Sequence, residues 1–143
     1  MNLSFTIPGE PVGKGRPKFT MAGRAYTPAK TAKYENLVRL AFYEKYSDWK
    51  PYEDAVSIKI NSYFPIPGSW SKKKKSMAIL MKIFKISRPD LDNIIKSVCD
   101  GLNEVAWKDD AQIYELYARK AYSENPRTEV EIEMGVDPDG ITE

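Results

Sequence analysis

Residues 88–113 read RPDLDNIIKSVCDGLNEVAWKDDAQI, with a pair of aspartates near each end. Asp90 and Asp92 stand at the entry to a helical pattern, and Asp109 and Asp110 fall in the turn after it. Leu91, Ile94, Ile95, Val98, Leu102 and Val105 recur at helical spacing and form the expected buried side. Asp92, Lys96 and Asp100 recur every four residues and share another face. A helix bracketed by carboxylates can fold back so that both ends feed one side of the molecule. Oxygen ligands without thiolate or imidazole suit Mg²⁺ or Mn²⁺. The chain has no histidine, so a catalytic metal would be held by carboxylates, carbonyls and water. That chemistry points to phosphoryl transfer on an anionic substrate.

The formal charge of +2 hides a division along the chain. Residues 1–89 carry 17 Lys and Arg against 6 Asp and Glu, whereas residues 90–143 carry 5 against 14. Between Asp54 and Asp90 there are eight basic residues and no acidic one. Such polarity fits a polyanion held by one surface and cut at another; the plainer alternative is surface charge unevenly placed in sequence. At 143 residues the chain predicts one domain over 1–135 with one core, followed by a frayed acidic tail at 136–143. Cys99 has no partner for an internal disulfide and reads as a small buried hydrophobe. The apolar run around Met77–Phe84 is short and broken by lysine, so a soluble cytoplasmic protein with no membrane partner is expected.

Outward from the aspartates, the pattern alternates strands and helices. Leu3, Phe5 and Ile7 alternate with polar residues, as in a half-buried strand. Residues 13–33, GKGRPKFTMAGRAYTPAKTAK, hold six cations, no anion and three glycines. Glycines there let backbone approach phosphates and Phe19 and Tyr26 could stack on bases, or the aromatics simply pin a solvent-exposed loop to the core. Thr27 and Pro28 read as an N-cap and first helical residue, followed by an apolar stripe of Tyr34, Leu37, Val38, Ala41 and Phe42. Val56, Ile58 and Ile60 mark a second strand that Pro65 and Pro67 stop. Ser69-Trp70-Ser71 caps a short helix carrying Lys72, Lys73, Lys74 and Lys75. A strand over 112–122 places Tyr114, Leu116 and Ala118 on one side, and Thr128, Val130, Ile132 and Met134 alternate with glutamates in a last strand. The order implies an α+β fold, a mixed sheet with helices mainly on one face.

Three or four converging carboxylates repel one another unless a cation joins them, and Lys96 could offset charge or approach a reacting phosphate. Structural roles compete with this. Asp90 or Asp92 could cap the helix, and Asp109 and Asp110 could shape the turn. Covalent catalysis by Cys99 is disfavoured on a helix without a histidine partner.

The segment PDLDNIIKSVCDGLNEVAWKDDAQI resembles the signature of the RusA family of Holliday junction resolvases, small and often prophage-encoded endodeoxyribonucleases. The likeness continues through GKGRPKFT, AYTP, YFPIPGSWSKKKK and the final strand pair. The resemblance implies a RusA-like fold and a Mg²⁺-dependent homodimer that nicks four-way DNA junctions symmetrically, in DNA recombination and repair. It assigns catalysis to Asp90, Asp92, Asp110 and Lys96, and the metal to the three aspartates with Asp109 as a helper. Lys14, Arg16, Lys18, Lys72, Lys73, Lys74, Lys75 and Arg88 are the expected DNA contacts. A two-fold enzyme matches a two-fold substrate. The stretch ILMKIFKISRPD is short and apolar, and its Ile79, Leu80, Ile83 and Phe84 either pack internally or help dimerise. The competing functions are a non-catalytic junction-binding protein and a nuclease acting on flaps or RNA.

Overall fold

Alternation of Leu3, Phe5 and Ile7 with Asn2, Ser4 and Thr6 produces β1 (Asn2–Pro8), whose apolar side chains are buried and polar ones exposed. The computed structural model describes residues 1–135, and the acidic tail expected at 136–143 lies outside them. The basic stretch is not wholly loop: it contains a small ribbon of β2 (Lys18–Phe19) and β3 (Ala25–Tyr26). α1 (Ala29–Lys45) follows. Here the expected cap shifts by one residue. Pro28 is the N-cap, because its carbonyl accepts the first helical bond from Ala32 N–H at 3.0 Å, and Thr27 supplies no capping bond.

β4 (Val56–Pro65) is the spine of the sheet. α2 (Lys72–Ile79) begins at Ser71, whose hydroxyl accepts from Lys74 N–H at 3.2 Å, as the sequence implied. α3 (Leu91–Leu102) is N-capped by Asp90 and ends at Asn103. Val105, expected on the buried side of that helix, is buried one turn beyond its end. A 3₁₀ turn at Asp110–Gln112 leads into β5 (Ile113–Ser123), and β6 (Arg127–Met134) is the last element among the described residues.

The sheet order is β1-β6-β4-β5, antiparallel except for the parallel β4–β5 pair. Side chains of Ile58, Ile60, Val130, Ile132, Leu3 and Phe5 face α1 and α3 and form the main core with Val38, Phe42, Val98, Leu102 and Trp107. A second cluster of Phe64, Ala78, Ile94 and Tyr122 seats α2 against the far end of β4 and β5. α3 contributes to both clusters, so all three helices lie on one face of a mixed sheet. The other face carries exposed Lys59, Glu131 and Tyr117, while Asn61 and Tyr63 on it are covered, with Arg119 bonded to Asn61 and Arg127 over the Tyr63 ring. The helices do not cover the first half of β5. Of Tyr114, Leu116 and Ala118, which share one side of the strand, only Ala118 packs on the core, and Tyr114 and Leu116 are exposed.

α1 and α3 can touch because residue 101 is glycine. A Cβ built there would stand 2.8 Å from Val38 Cβ, 2.9 Å from Val38 Cγ1 and 3.1 Å from the Glu35 carbonyl oxygen. On an open helix surface Gly→Ala is worth roughly 1 kcal/mol of added stability. At this contact the sign reverses. Gly101→Ala is expected to destabilise the fold by about 1–3 kcal/mol, read as a drop of several degrees in thermal denaturation; an unchanged or raised midpoint contradicts the contact.

Candidate functional site

The first turn of α3 faces a cleft of about 730 Å³ lined by Glu10–Arg16, Pro28, Lys30, Thr31, Arg88, Pro89, Asp90 and Asn93. One wall is the basic loop and the other is the approach to α3. Gly13 is required for this closeness, since a Cβ there would lie 2.8 Å from Pro89 Cβ and 3.3 Å from Asn93 Cβ. Lys14 N–H donates to the Asn93 carbonyl at 2.8 Å, fixing the loop to the helix. Arg16, Lys30 and Arg88 line the cleft together with Asp90. Lys30 was not singled out in sequence because one lysine in a six-cation stretch carries no distinguishing signal.

Asp90 occupies an N-cap position without making a side-chain capping bond. The usual structural use of an aspartate at that place is therefore not taken up. Asp92 accepts only from the adjacent Asn93 N–H, at 2.9 Å, and is exposed. The loop before them is held from the sheet: Lys120 of β5 donates to the carbonyls of Ser87 and Pro89, both at 2.9 Å. Lys120 is a second residue the sequence reading passed over, because alternation in β5 shows only that it points towards the helices. Its ammonium also acts on Lys85, whose pKa is lowered by burial first and by Lys120 second.

Asp110 is anchored differently. Its Oδ1 accepts from Trp107 Nε1 at 2.7 Å, and its own N–H donates to Asn103 Oδ1 at 3.0 Å. Trp107 is fully buried, so the carboxylate is bolted to the core. Asp109 beside it is exposed and makes a capping box: its side chain accepts from Ala111 N–H while Gln112 Oε1 accepts from Asp109 N–H at 2.8 Å. Burial pushes the Asp110 carboxyl up, the Trp107 bond opposes that, and the charges of Asp100 and Asp109 push it further, with Lys96 pulling back. Lys96, Asp100 and Asp110 thus lie within electrostatic reach of one another. The same three bear on Cys99, whose thiol is pushed up to about 12, first by burial and then by Asp110 and Asp100. That thiol is inert as a nucleophile at neutral pH.

Asp92, Lys96 and Asp100 form a row along α3, with Asp110 facing its C-terminal half. Among the described residues no three carboxylates converge into a preformed metal cage. Mg²⁺ does not need one, since it is usually bound by one or two carboxylates together with waters and substrate phosphates. The acids acting on Asp110 are Asp100, which is paired with Lys14, and Asp109, which is held in its capping box; the exposed Asp90 and Asp92 at the other end of α3 are not among them, and each end offers an ion oxygen donors of its own. Lys14, expected as a DNA contact, donates to Glu35 Oε2 at 2.6 Å and pairs with Asp100 Oδ2 at 3.0 Å. Burial lowers its pKa, but those two partners outweigh it and leave it raised. Lys72, Lys73 and Lys74 on α2 are exposed, Lys75 is half-buried, and Lys74 sits 4.1 Å over the Trp70 ring. The lysine run lies outside the cleft, and Lys18 rides on the β2–β3 ribbon.

A carboxyl whose pKa is higher folded than unfolded favours the fold while protonated. Its ionisation, as pH rises through the carboxylate range, withdraws stability. Asp110→Asn keeps the acceptor for Trp107 and removes the charge. The variant is expected to melt at a higher temperature than the wild type at pH 7, with the difference vanishing in acid. Added Mg²⁺ should raise the wild-type midpoint more than that of the variant. A variant that melts lower at pH 7 and responds fully to Mg²⁺ contradicts this placement of Asp110.

Residues 8–133 match the family model described as Endodeoxyribonuclease RusA. The chain is 38% identical over 138 residues to the Uncharacterized protein YqaN of Bacillus subtilis (strain 168), covering 91% of this chain and 94% of that protein. It is 44% identical over 50 residues to the Crossover junction endodeoxyribonuclease rusA of Lactococcus phage r1t, covering 34% of this chain and 38% of that one. No helix among the described residues is long and apolar enough to cross a membrane. With most of its length matched, from the end of β1 into β6, the chain belongs to the RusA family of endodeoxyribonucleases.

Proposed function

We propose that this protein is a Mg²⁺-dependent homodimeric endonuclease that resolves four-way DNA junctions by paired symmetric nicks. The observation that carries the reading is the cleft that Arg16, Lys30 and Arg88 line together with Asp90, whose side chain makes no capping bond, on a chain of this family. Cations there bind backbone phosphates, and the row of acids along α3 begins where the cations end. Asp90, Asp92 and Asp110 would hold the metal. Asp109 acts through its capping box, which sets the turn that presents Asp110. The chemistry supplied by Mg²⁺, or Mn²⁺ in its place, is polarisation of the scissile phosphoryl group and acidification of water. Lys96, exposed on α3 and within reach of Asp110, offsets charge that develops on the phosphate. Lys14 holds the loop while Arg16, Lys18, Arg88 and the α2 lysines meet DNA.

Two copies are needed because resolution requires two cuts. β5 is an edge strand, paired on one side only, and carries exposed Tyr114, Leu116 and Tyr117. An edge of that kind is a template for pairing, so it is the surface on which we place the dimer. Light scattering should return the mass of two chains, and a monomer both alone and on junction DNA overturns the paired mechanism.

The test of activity is a synthetic four-way junction incubated with and without Mg²⁺, with the nicks mapped, beside a linear duplex, a flap and an RNA hairpin. Symmetric nicks confined to the junction are expected. Asp92→Asn should slow nicking by on the order of 100-fold or more while junction affinity is kept. Lys96→Ala should cost far more in single-turnover rate than in affinity. Junction binding without Mg²⁺-dependent cleavage would make the protein a junction binder, and preferred cleavage of flap or RNA would assign it another substrate.

A further inference from the structure

Three large apolar side chains of the β2–β3 ribbon are turned to solvent: Phe19 at 69% exposure, Met21 at 108% and Tyr26 at 48%. None belongs to either apolar cluster. The ribbon is nonetheless a built element. Thr20 N–H donates to the Arg24 carbonyl at 2.8 Å, Gly23 N–H to the Thr20 carbonyl at 2.9 Å, and Arg24 N–H to Thr20 Oγ1 at 3.1 Å. Gly23 takes φ +81°, which the turn requires and other residues resist. Lys18 lies beside Tyr26, and Phe19 beside Ala25, whose small side chain leaves the phenyl ring bare on that flank. At its root, Gly15 N–H donates to Thr31 Oγ1 at 2.9 Å. A Cβ on Gly15 would come within 3.1 Å of Pro28 and of Thr31, so the root is tightly seated on the start of α1. From there the chain runs directly into the wall of the cleft beside Asp90.

We propose that this ribbon recognises the branch of a DNA junction: Phe19 and Met21 at its tip stack on bases unstacked there, while Arg16, Lys18 and Arg24 hold the flanking phosphates. The inference rests on the junction reading and names its structure-selecting element. Charge decides the occupant. No acidic residue occurs between Glu10 and Glu35, while six cations do, so the apolar tip is framed by cations alone. Bases carry a π-face inside a polyanion, which is the one chemistry that satisfies both parts of such a surface. In a linear duplex every base is stacked and offers the tip no face. At a branch the stack is interrupted, so an apolar wedge gains contacts there without first breaking a stack. Selectivity for the branch then comes from the ribbon and general affinity from the cations.

The test uses the full chain without divalent metal, so that binding is read without cleavage. 2-Aminopurine is placed at the branch of a four-way junction, or in one arm as a control. Wild-type protein is expected to change emission at the branch and leave the arm unchanged. The double variant Phe19→Ser with Met21→Ser should lose that change and about tenfold in junction affinity, with duplex affinity and the salt dependence unaltered. The double variant Lys18→Gln with Arg24→Gln should flatten the salt dependence and keep the change. Junction preference in the wild type with no branch-specific change in emission overturns the inference alone, whatever the variants do. So does a serine variant that keeps its preference, or one that loses dimer mass in light scattering, which would assign the tip to a second copy. A wild type that binds junction and duplex equally overturns the junction reading and the inference with it.

Discussion

The Lys14 ammonium, gripped by Glu35 of α1 and Asp100 of α3, is the contact on which the arrangement of this protein depends. It joins three segments distant in sequence and fixes the basic loop where α1 and α3 already touch through Gly101. All three side chains are largely withdrawn from water, so removing one partner would leave a charge uncompensated rather than merely delete a bond. Two acids shared by one ammonium leave a net negative balance on that side of α3. The division of charge seen along the chain thereby becomes spatial, with cations on the loop wall of the cleft and carboxylates along the helix.

That balance explains the differing states of the aspartates. Asp110 is held by an indole from the core and crowded by Asp100 and Asp109, and its carboxyl is displaced upward. Asp92 faces water, and Asp90 fronts the basic cleft. A carboxylate kept near other carboxylates at a cost to the fold is the kind of local conflict that foldable sequences otherwise avoid. Trp107 makes the conflict sustainable, since a fully buried ring cannot yield to let Asp110 turn away. Position is thus bought with packing.

Much of this was legible in the sequence, for physical reasons that differ by element. β1 and β6 are half-buried strands whose period of two is plain, and α3 is amphipathic enough to announce both its core side and its acidic row. α1 was harder at its start, where proline fits either the cap or the first turn and only the hydrogen bond of Ala32 decides. The alternation of β5 places Tyr114 and Leu116 on one side with Ala118, but periodicity reports a face and not whether a helix extends over it. Lys14 was read as a DNA contact, since a lysine between two glycines looks solvent-free only when its distant acids are known. Lys120 and Trp107 gave no local signal at all. Lys120 acts across 31 residues, and Trp107, although only three residues from Asp110, takes its role from burial in the core, which a lone tryptophan in sequence does not announce.

Lys120 connects parts of the molecule that sequence keeps separate. It belongs to β5, the strand whose outer edge is unpaired, yet its ammonium holds the carbonyls of Ser87 and Pro89 just ahead of Asp90. Strand and aspartate are therefore joined by two charge-assisted hydrogen bonds, with the second apolar cluster packed around Tyr122 close by. A partner chain laid along the edge of β5 would restrain the strand that holds this loop. Assembly through that edge would then stiffen the approach to the aspartates without contributing any residue to them, and two cuts on one junction would be made by sites whose geometry the dimer itself keeps alike.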